Sequence, residues 1–144
     1  MTRTVMIFLL ITVFLLSACN STATPMSAAE VVGGHISVPG GSYTDVTVAE
    51  LQTMLMNKDF TFINVHIPFE GDIANTDLSI PFNEIEQNLD KLPADKDAKI
   101  VLYCRSDRMS RIAAKTLVGL GYTHLWNLDG GMVAWEQAGL PLKR

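Results

Sequence analysis

The sequence has few of the residues that support several common kinds of protein chemistry. It contains two cysteines, Cys19 and Cys104, and three histidines that are far apart along the chain. No cluster of metal ligands is therefore predicted. The formal net charge is −4 and no basic run occurs, so nothing in the charge distribution indicates a nucleic-acid partner. No segment repeats, and the length of 144 residues predicts a single domain.

The sequence also lacks an apolar run long enough to be a confident membrane span. A short basic lead precedes an apolar run over residues 5–16, whereas a membrane-spanning helix needs about 20 residues. Residues 1–18 are instead predicted to be a signal peptide. Leu16-Ser-Ala-Cys19 resembles the lipobox of bacterial lipoproteins, which implies cleavage before Cys19 and lipidation of its thiol. The alternative is an ordinary secretory signal that leaves Cys19 as a free thiol.

The segment after this signal is rich in Ser, Thr, Ala, Gly and Pro. Residues 19–42 are therefore predicted to be a flexible, lipid-anchored tether. The expected location is the cell membrane or outer membrane, with the folded domain facing the periplasm or the cell exterior. Lipidation of Cys19 would leave Cys104 as the only thiol, so no intrachain disulfide is predicted.

From residue 43 onward, short apolar runs alternate with helical patterns. Thr47-Val-Ala-Glu50 is a capping box that predicts the start of a helix. The alternation indicates an α/β fold, with a central parallel sheet of about five strands and helices on both faces. The predicted strands cover residues 43–46, 60–65, 79–82, 100–103 and 123–128, and the predicted helices cover residues 47–57, 84–91, 110–120 and 132–138.

The stretch around Cys104 combines a strand, a cysteine, a charged loop and a helix start. Cys104 follows the apolar run 100–103, and apolar residues recur at helical spacing after Ser110. Inward-pointing loop amides and the helix dipole would bind an anion and favour the thiolate, which is the nucleophilic form of cysteine. The alternative for one cysteine is a small buried hydrophobic residue.

This stretch, Cys104-Arg-Ser-Asp-Arg-Met-Ser110, resembles the active-site loop of the rhodanese sulfurtransferase family. Further similar segments are Phe62-Ile-Asn-Val65, Leu128-Asp-Gly-Gly-Met-Val-Ala-Trp135 and Ala138-Gly-Leu-Pro141. The resemblance implies a rhodanese-like domain over residues 43–144. It implies an enzyme in which Cys104 moves sulfane sulfur, as a persulfide, from thiosulfate or a related anionic donor to a thiol or cyanide. No cofactor is implied.

The same resemblance implies that the loop after the cysteine binds the substrate. Its residues are Arg105, Ser106, Asp107, Arg108, Met109 and Ser110. Arg108, and less directly Arg105, would steer an anionic donor. Asp107 stands where the family commonly has glycine, and Met109 where it commonly has arginine. The carboxylate of Asp107 is expected to oppose a thiolate and an anionic donor unless Arg105, Arg108 or Arg111 neutralises it.

Several residue roles and functions are left open by the sequence. Asp129 is predicted to cap the last helix, and His66 is either a structural replacement for a family arginine or a catalytic base. A phosphatase or arsenate reductase would need a Cys-x5-Arg loop, but the sixth residue after Cys104 is Ser110. The stronger alternative is a non-catalytic rhodanese-like module of the cell envelope that binds a partner or carries sulfur.

Overall fold

The computed structural model of the protein describes residues 31–144. The predicted signal peptide, Cys19 and the first half of the predicted tether lie outside the described residues. The described strands are β1 (Gly34–Val38), β2 (Gly41–Val46), β3 (Thr61–Asn64), β4 (Leu78–Ser79), β5 (Ile100–Tyr103) and β6 (Leu125–Leu128). The described helices are α1 (Val48–Met56), α2 (Arg108–Gly119) and α3 (Gly131–Gln137), with a 3₁₀ segment at Ile85–Lys91.

The strands form one sheet in the order β1-β2-β6-β5-β3-β4. Every neighbouring pair is parallel except β1 and β2, which form an antiparallel hairpin. The predicted α/β fold with a mostly parallel central sheet is confirmed, with six strands in the described part of the chain. The predicted strand at 79–82 is reduced to β4, and the predicted helix at 84–91 is a 3₁₀ segment broken at Asn88.

Alternate side chains of β5 divide the core into two layers. Ile100 and Leu102 belong to the layer beneath α2, whereas Val101 and Tyr103 belong to the layer beneath α1 and α3. All four side chains are completely buried, as expected for a strand covered on both faces. Burying one large apolar side chain contributes about 1.5–3 kcal/mol, so these two layers fix β5 and the residue that follows it.

The ordered fold begins earlier than the sequence predicts. Residues 34–42, predicted to be the end of the tether, form β1 and the start of β2, with Gly34 opposite Asp45 and Val38 opposite Gly41. Ile36 and Val38 pack against the core layer beneath α2. Burial of these apolar side chains explains why a glycine-rich segment is held as a strand at the edge of the sheet.

The predicted capping box is present at the start of α1. The Thr47 side chain accepts a hydrogen bond from the Glu50 amide at 3.3 Å, and the Glu50 carboxylate accepts one from the Thr47 amide at 2.8 Å. Glu50 also accepts the amide hydrogen of Gly33 at 2.9 Å. One carboxylate therefore joins α1 to the residue before β1.

None of the helices described within residues 31–144 is both long and apolar enough to cross a membrane.

Candidate active site

Cys104 lies at the carboxyl end of β5, at the start of the loop that leads to α2. The residue is only 2% exposed. The Ser110 hydroxyl, in the first turn of α2, lies 3.4 Å from the Cys104 sulfur and 3.0 Å from the carbonyl oxygen of Asp107. A serine hydroxyl has a single hydrogen to donate, so the two acceptors share it. Donation to the sulfur would stabilise a thiolate through a charge-assisted hydrogen bond.

The loop between Cys104 and α2 turns sharply at Asp107. Its φ angle is 75°, which is the left-handed region that favours glycine. Aspartate tolerates this region better than most residues, which explains how it can occupy the position. The Arg108 amide donates to the Ser106 carbonyl at 3.0 Å, and the Arg111 amide donates to the Asp107 carbonyl at 2.9 Å. The turn therefore brings the first turn of α2 beside the sulfur.

The Asp107 carboxylate is bound by groups of the protein itself. Both of its oxygens lie 2.9 Å from the Gly130 amide nitrogen, and the Asn127 side chain donates to it at 3.3 Å. Arg111 lies 4.0 Å away. The sequence predicts that this charge opposes an anion unless an arginine neutralises it. Arg111 offsets the charge only in part, because the same guanidinium lies closer to Asp45 and Asp129.

Arg111 is the centre of a cluster of charges beside the loop. Its guanidinium contacts the carboxylates of Asp129 at 2.9 Å, Asp45 at 3.0 Å and Asp107 at 4.0 Å. Burial acts to lower the pKa of Arg111, but the neighbouring carboxylates, Asp45 foremost, outweigh it and raise the pKa. This guanidinium is engaged by three carboxylates, which disfavours the phosphate-clamping role that a phosphatase would require.

Arg111 was not among the predicted site residues. Its position four residues after Asp107 could have predicted the contact between the two side chains, because residues at that spacing meet on a helix. Asp45 comes from β2, 66 residues earlier, and no local pattern predicts that contact.

The predicted cap at Asp129 is wrong. The residue that precedes α3 is Gly130, with a φ of 74°, and no side chain caps this helix. The Asp129 carboxylate instead accepts a hydrogen bond from Arg111 at 2.9 Å. The carboxylate that binds the turn before α3 is that of Asp107.

The start of α3 is packed directly on the backbone of the active-site loop. The Met132 amide donates to the Cys104 carbonyl at 2.9 Å, and the Val133 amide donates to the Arg105 carbonyl at 3.0 Å. A Cβ atom on Gly131 would lie 2.3 Å from the Cys104 carbonyl oxygen. Glycine is therefore required at 131 for this close approach.

Arg105 and His66 both lie beside Glu70. Arg105 forms an ion pair with Glu70, and this contact, more than any other, lowers the pKa of Glu70. The His66 ring is 3.7 Å from the other oxygen of Glu70. Both ring nitrogens of His66 are buried without a hydrogen-bond partner in the described part of the chain. Within residues 31–144 no hydrogen bond joins that ring to Cys104, so the geometry supplies no contact for a catalytic base.

Arg108 and Met109 differ in their surroundings. Arg108 is exposed and forms no salt bridge with any other residue in the 31–144 segment. Met109 is half-buried and packs against the core layer beneath α2. Ser106 is exposed. Of the three arginines between residues 105 and 111, only Arg108 has an uncompensated charge among the described residues.

Comparison with known families gives a match to the rhodanese-like domain over residues 47–138. The chain belongs to the rhodanese-like domain family. A sulfurtransferase of Allochromatium vinosum is 33% identical over 94 residues, which cover 63% of this chain and 85% of the relative. The tRNA uridine(34) hydroxylase of Escherichia coli is 28% identical over 105 residues, and this rhodanese-like chain matches only 30% of it. The family match and the sulfurtransferase relative together support sulfur transfer as the general activity.

Solved structures of rhodanese-like proteins share the fold. A rhodanese-related protein from Thermoplasma volcanium has a TM-score of 0.58 and 29% identity, covering 68% of this chain and 95% of that one. A rhodanese-like domain protein from Staphylococcus aureus has the same TM-score and identity, covering 69% and 98%. The chain therefore has the rhodanese-like fold, and Cys104 is interpreted within that fold.

Proposed function

We propose that the protein is a sulfurtransferase that uses Cys104 as its nucleophile. The thiolate attacks the outer sulfur of thiosulfate or another sulfane donor. A new sulfur–sulfur bond forms, the donor's own bond breaks, and sulfite or its equivalent leaves with the electron pair. A thiol or cyanide acceptor then takes the outer sulfur from the Cys104 persulfide and regenerates the thiolate.

The observation that carries this proposal is the position of Cys104 between β5 and α2. The Ser110 hydroxyl lies 3.4 Å from the sulfur, and the amino end of α2, a helix of twelve residues, begins at Arg108. Both favour negative charge at the sulfur. Arg108, which has no carboxylate partner within residues 31–144, would attract an anionic donor, and Arg105 would do so less strongly because Glu70 pairs with it.

The test is the intact mass of the purified chain after treatment with thiosulfate. Wild type should gain the mass of one sulfur and lose it when cyanide is added. Cys104→Ser should remain folded and gain nothing, whereas Ser110→Ala should load sulfur more slowly. A wild-type chain that gains no sulfur from any sulfane donor would contradict sulfur transfer.

A non-catalytic sulfur-carrier or binding module of the cell envelope is the second candidate. It is favoured by Met109, which supplies no charge where the family commonly has arginine, and by the 2% exposure of Cys104. Turnover separates the two candidates, because a carrier would load a single sulfur without producing many equivalents of thiocyanate per chain.

We also propose that the chain is exported and anchored through lipid on Cys19, with the domain facing the periplasm or the cell exterior. The apolar run at residues 5–16 and the Leu16-Ser-Ala-Cys19 sequence support this. Labelling of cells with a fatty-acid analogue should mark wild type and not Cys19→Ala. Equal labelling of both chains would contradict the proposal.

A further inference from the structure

Carboxylates contact two of the three arginines in the segment that follows Cys104. The Arg105 charge is paired with Glu70, on the loop that follows β3. Both side chains are partly exposed, at 54% and 39%, and Arg105 directly follows Cys104 in the chain, so both charges are accessible to a donor in solvent. Glu70 is a full negative charge here, because its pKa is lowered first of all by the hydrogen bond from Arg105.

The positive charge of the second arginine, Arg111, is outnumbered by the negative charges around it. Arg111 is shared among three carboxylates, those of Asp45, Asp107 and Asp129. Only Arg108 lacks a carboxylate partner among the residues the structure describes. Three arginines and four carboxylates therefore lie in this region. The His66 ring adjoins Glu70, and Tyr43 is close enough to Arg111, Asp45 and Asp107 to interact with their charges.

This balance has a consequence for the donor. A dianion such as thiosulfate gains little from Arg105 and Arg111, which are already paired, and it is repelled by Glu70. A donor that carries an ammonium group beside its anionic sulfur is matched by the adjacent positive and negative charges of Arg105 and Glu70. Complementary charges of this kind set specificity more than raw affinity.

Resting on the sulfur transfer proposed above, we propose that the Arg105–Glu70 pair selects zwitterionic sulfane donors, of the aminoalkyl thiosulfonate class, over the thiosulfate dianion. The Cys104 thiolate attacks the terminal sulfur of the thiosulfonate. A sulfur–sulfur bond to Cys104 forms, the bond between that sulfur and the sulfonyl group breaks, and the sulfinate leaves with the electron pair. No oxidant or reductant is consumed.

The experiment compares three donors that break the same kind of bond. They are thiosulfate, a dianion; methanethiosulfonate, a monoanion; and 2-aminoethanethiosulfonate, a zwitterion. The kcat/KM for release of sulfite or sulfinate is divided by the rate of each donor with a small free thiolate, which removes differences in intrinsic reactivity. The expected order for wild type is zwitterion above monoanion above dianion.

Glu70→Gln tests the pair directly because it frees Arg105. The normalised kcat/KM for thiosulfate should rise about fivefold relative to the zwitterion, the scale of one exposed ion pair, and the rise should shrink with added salt. Glu136→Gln is the matched control. It removes the same charge from another exposed ion pair, with Arg144, and should leave the donor order unchanged.

Two further variants keep the test decisive if Glu70→Gln does not fold. Arg105→Gln leaves Glu70 without this partner, so it should lower the use of thiosulfate more than the use of the zwitterion, whereas Arg108→Gln should lower the use of both donors. Equal losses of both donors in Arg105→Gln, or a wild-type preference for thiosulfate after normalisation, would overturn this inference while leaving sulfur transfer intact. Failure of all three donors to put sulfur on Cys104 would instead overturn the proposed function.

Discussion

At the scale of single residues, the contacts of Asp107 change what its substitution should do. The sequence alone predicts that Asp107→Gly strengthens thiosulfate use by removing a like charge. The structure shows the carboxylate bound to the Gly130 amide and close to Arg111. Losing these contacts should loosen the turn that positions Cys104, so the structural expectation is a lower kcat.

The first prediction separates the Asp107 side-chain contacts from its backbone strain. Asp107→Gly should lower the free energy of unfolding by about 2 kcal/mol, because the carboxylate hydrogen bonds are lost. Asp107→Ala should cost about 1 kcal/mol more, since alanine disfavours a positive φ. Urea unfolding measures both. Asp107→Ala being as stable as Asp107→Gly would show that the left-handed backbone is not retained.

The second prediction concerns Gly131. Gly131→Ala places a Cβ atom 2.3 Å from the Cys104 carbonyl oxygen at a φ of 55°. We expect a loss of about 3 kcal/mol from overpacking and backbone strain together, and slower sulfur loading because Cys104 is displaced. Gly139→Ala is the control: its φ is 77°, but nothing lies within 4 Å of its Cβ position. Similar losses in both variants would mean that the approach of α3 to Cys104 is not tight.

At the scale of elements, the junction between α1 and β1 depends on a single carboxylate. The third prediction is that Glu50→Gln destabilises the chain by about 0.5 kcal/mol at neutral pH, because glutamine can keep the capping box but removes the negative charge at the start of the helix. The amides of Thr47 and then Gly33 lower the pKa of Glu50. Its stabilisation is therefore present above its ordinary pKa and is lost as the pH falls through the folded value.

Unfolding free energies for this pair should differ at about pH 7 and converge toward about pH 3. Glu86→Gln, a change on the exposed 3₁₀ segment, is the control and should show no such dependence. A difference that persists at low pH would assign the effect to geometry and not to the charge of Glu50.

At the scale of the whole molecule, the two edges of the sheet are protected differently. One edge is the two-residue strand β4 and the other is β1. Very short edge strands limit pairing with other chains. The opposite edge depends on β1, whose removal would expose the backbone of β2.

The fourth prediction follows from this arrangement. A chain that starts at residue 41 loses the packing of Ile36 and Val38, so it should be less stable than one that starts at residue 31 by about 2 kcal/mol. It should also associate more readily through the exposed edge of β2. Thermal unfolding and light scattering measure the two effects. Equal stability of the two chains would show that β1 is only loosely attached.

Local signals in the sequence are enough to predict much of this fold. The Thr47–Glu50 capping box, the apolar run before Cys104 and the helix after it all give their elements correctly, because each depends on neighbours within a few residues. β1 is missed because its glycines and polar residues resemble a linker, whereas in the structure it is held by pairing with β2 and by the packing of Ile36 and Val38 against the core. The cluster at Arg111 is missed because Asp45 reaches it only after the chain has folded, and Gly131 because its neighbour is the carbonyl oxygen of Cys104.

The deep position of the Cys104 sulfur also bears on oxidation between molecules. An intermolecular disulfide requires two sulfur atoms to approach to about 2.05 Å. With Cys104 only 2% exposed, the surrounding loop and the first turn of α2 keep the sulfur of a second copy at a greater distance. The chain should therefore resist crosslinking between copies through Cys104 under oxidising conditions.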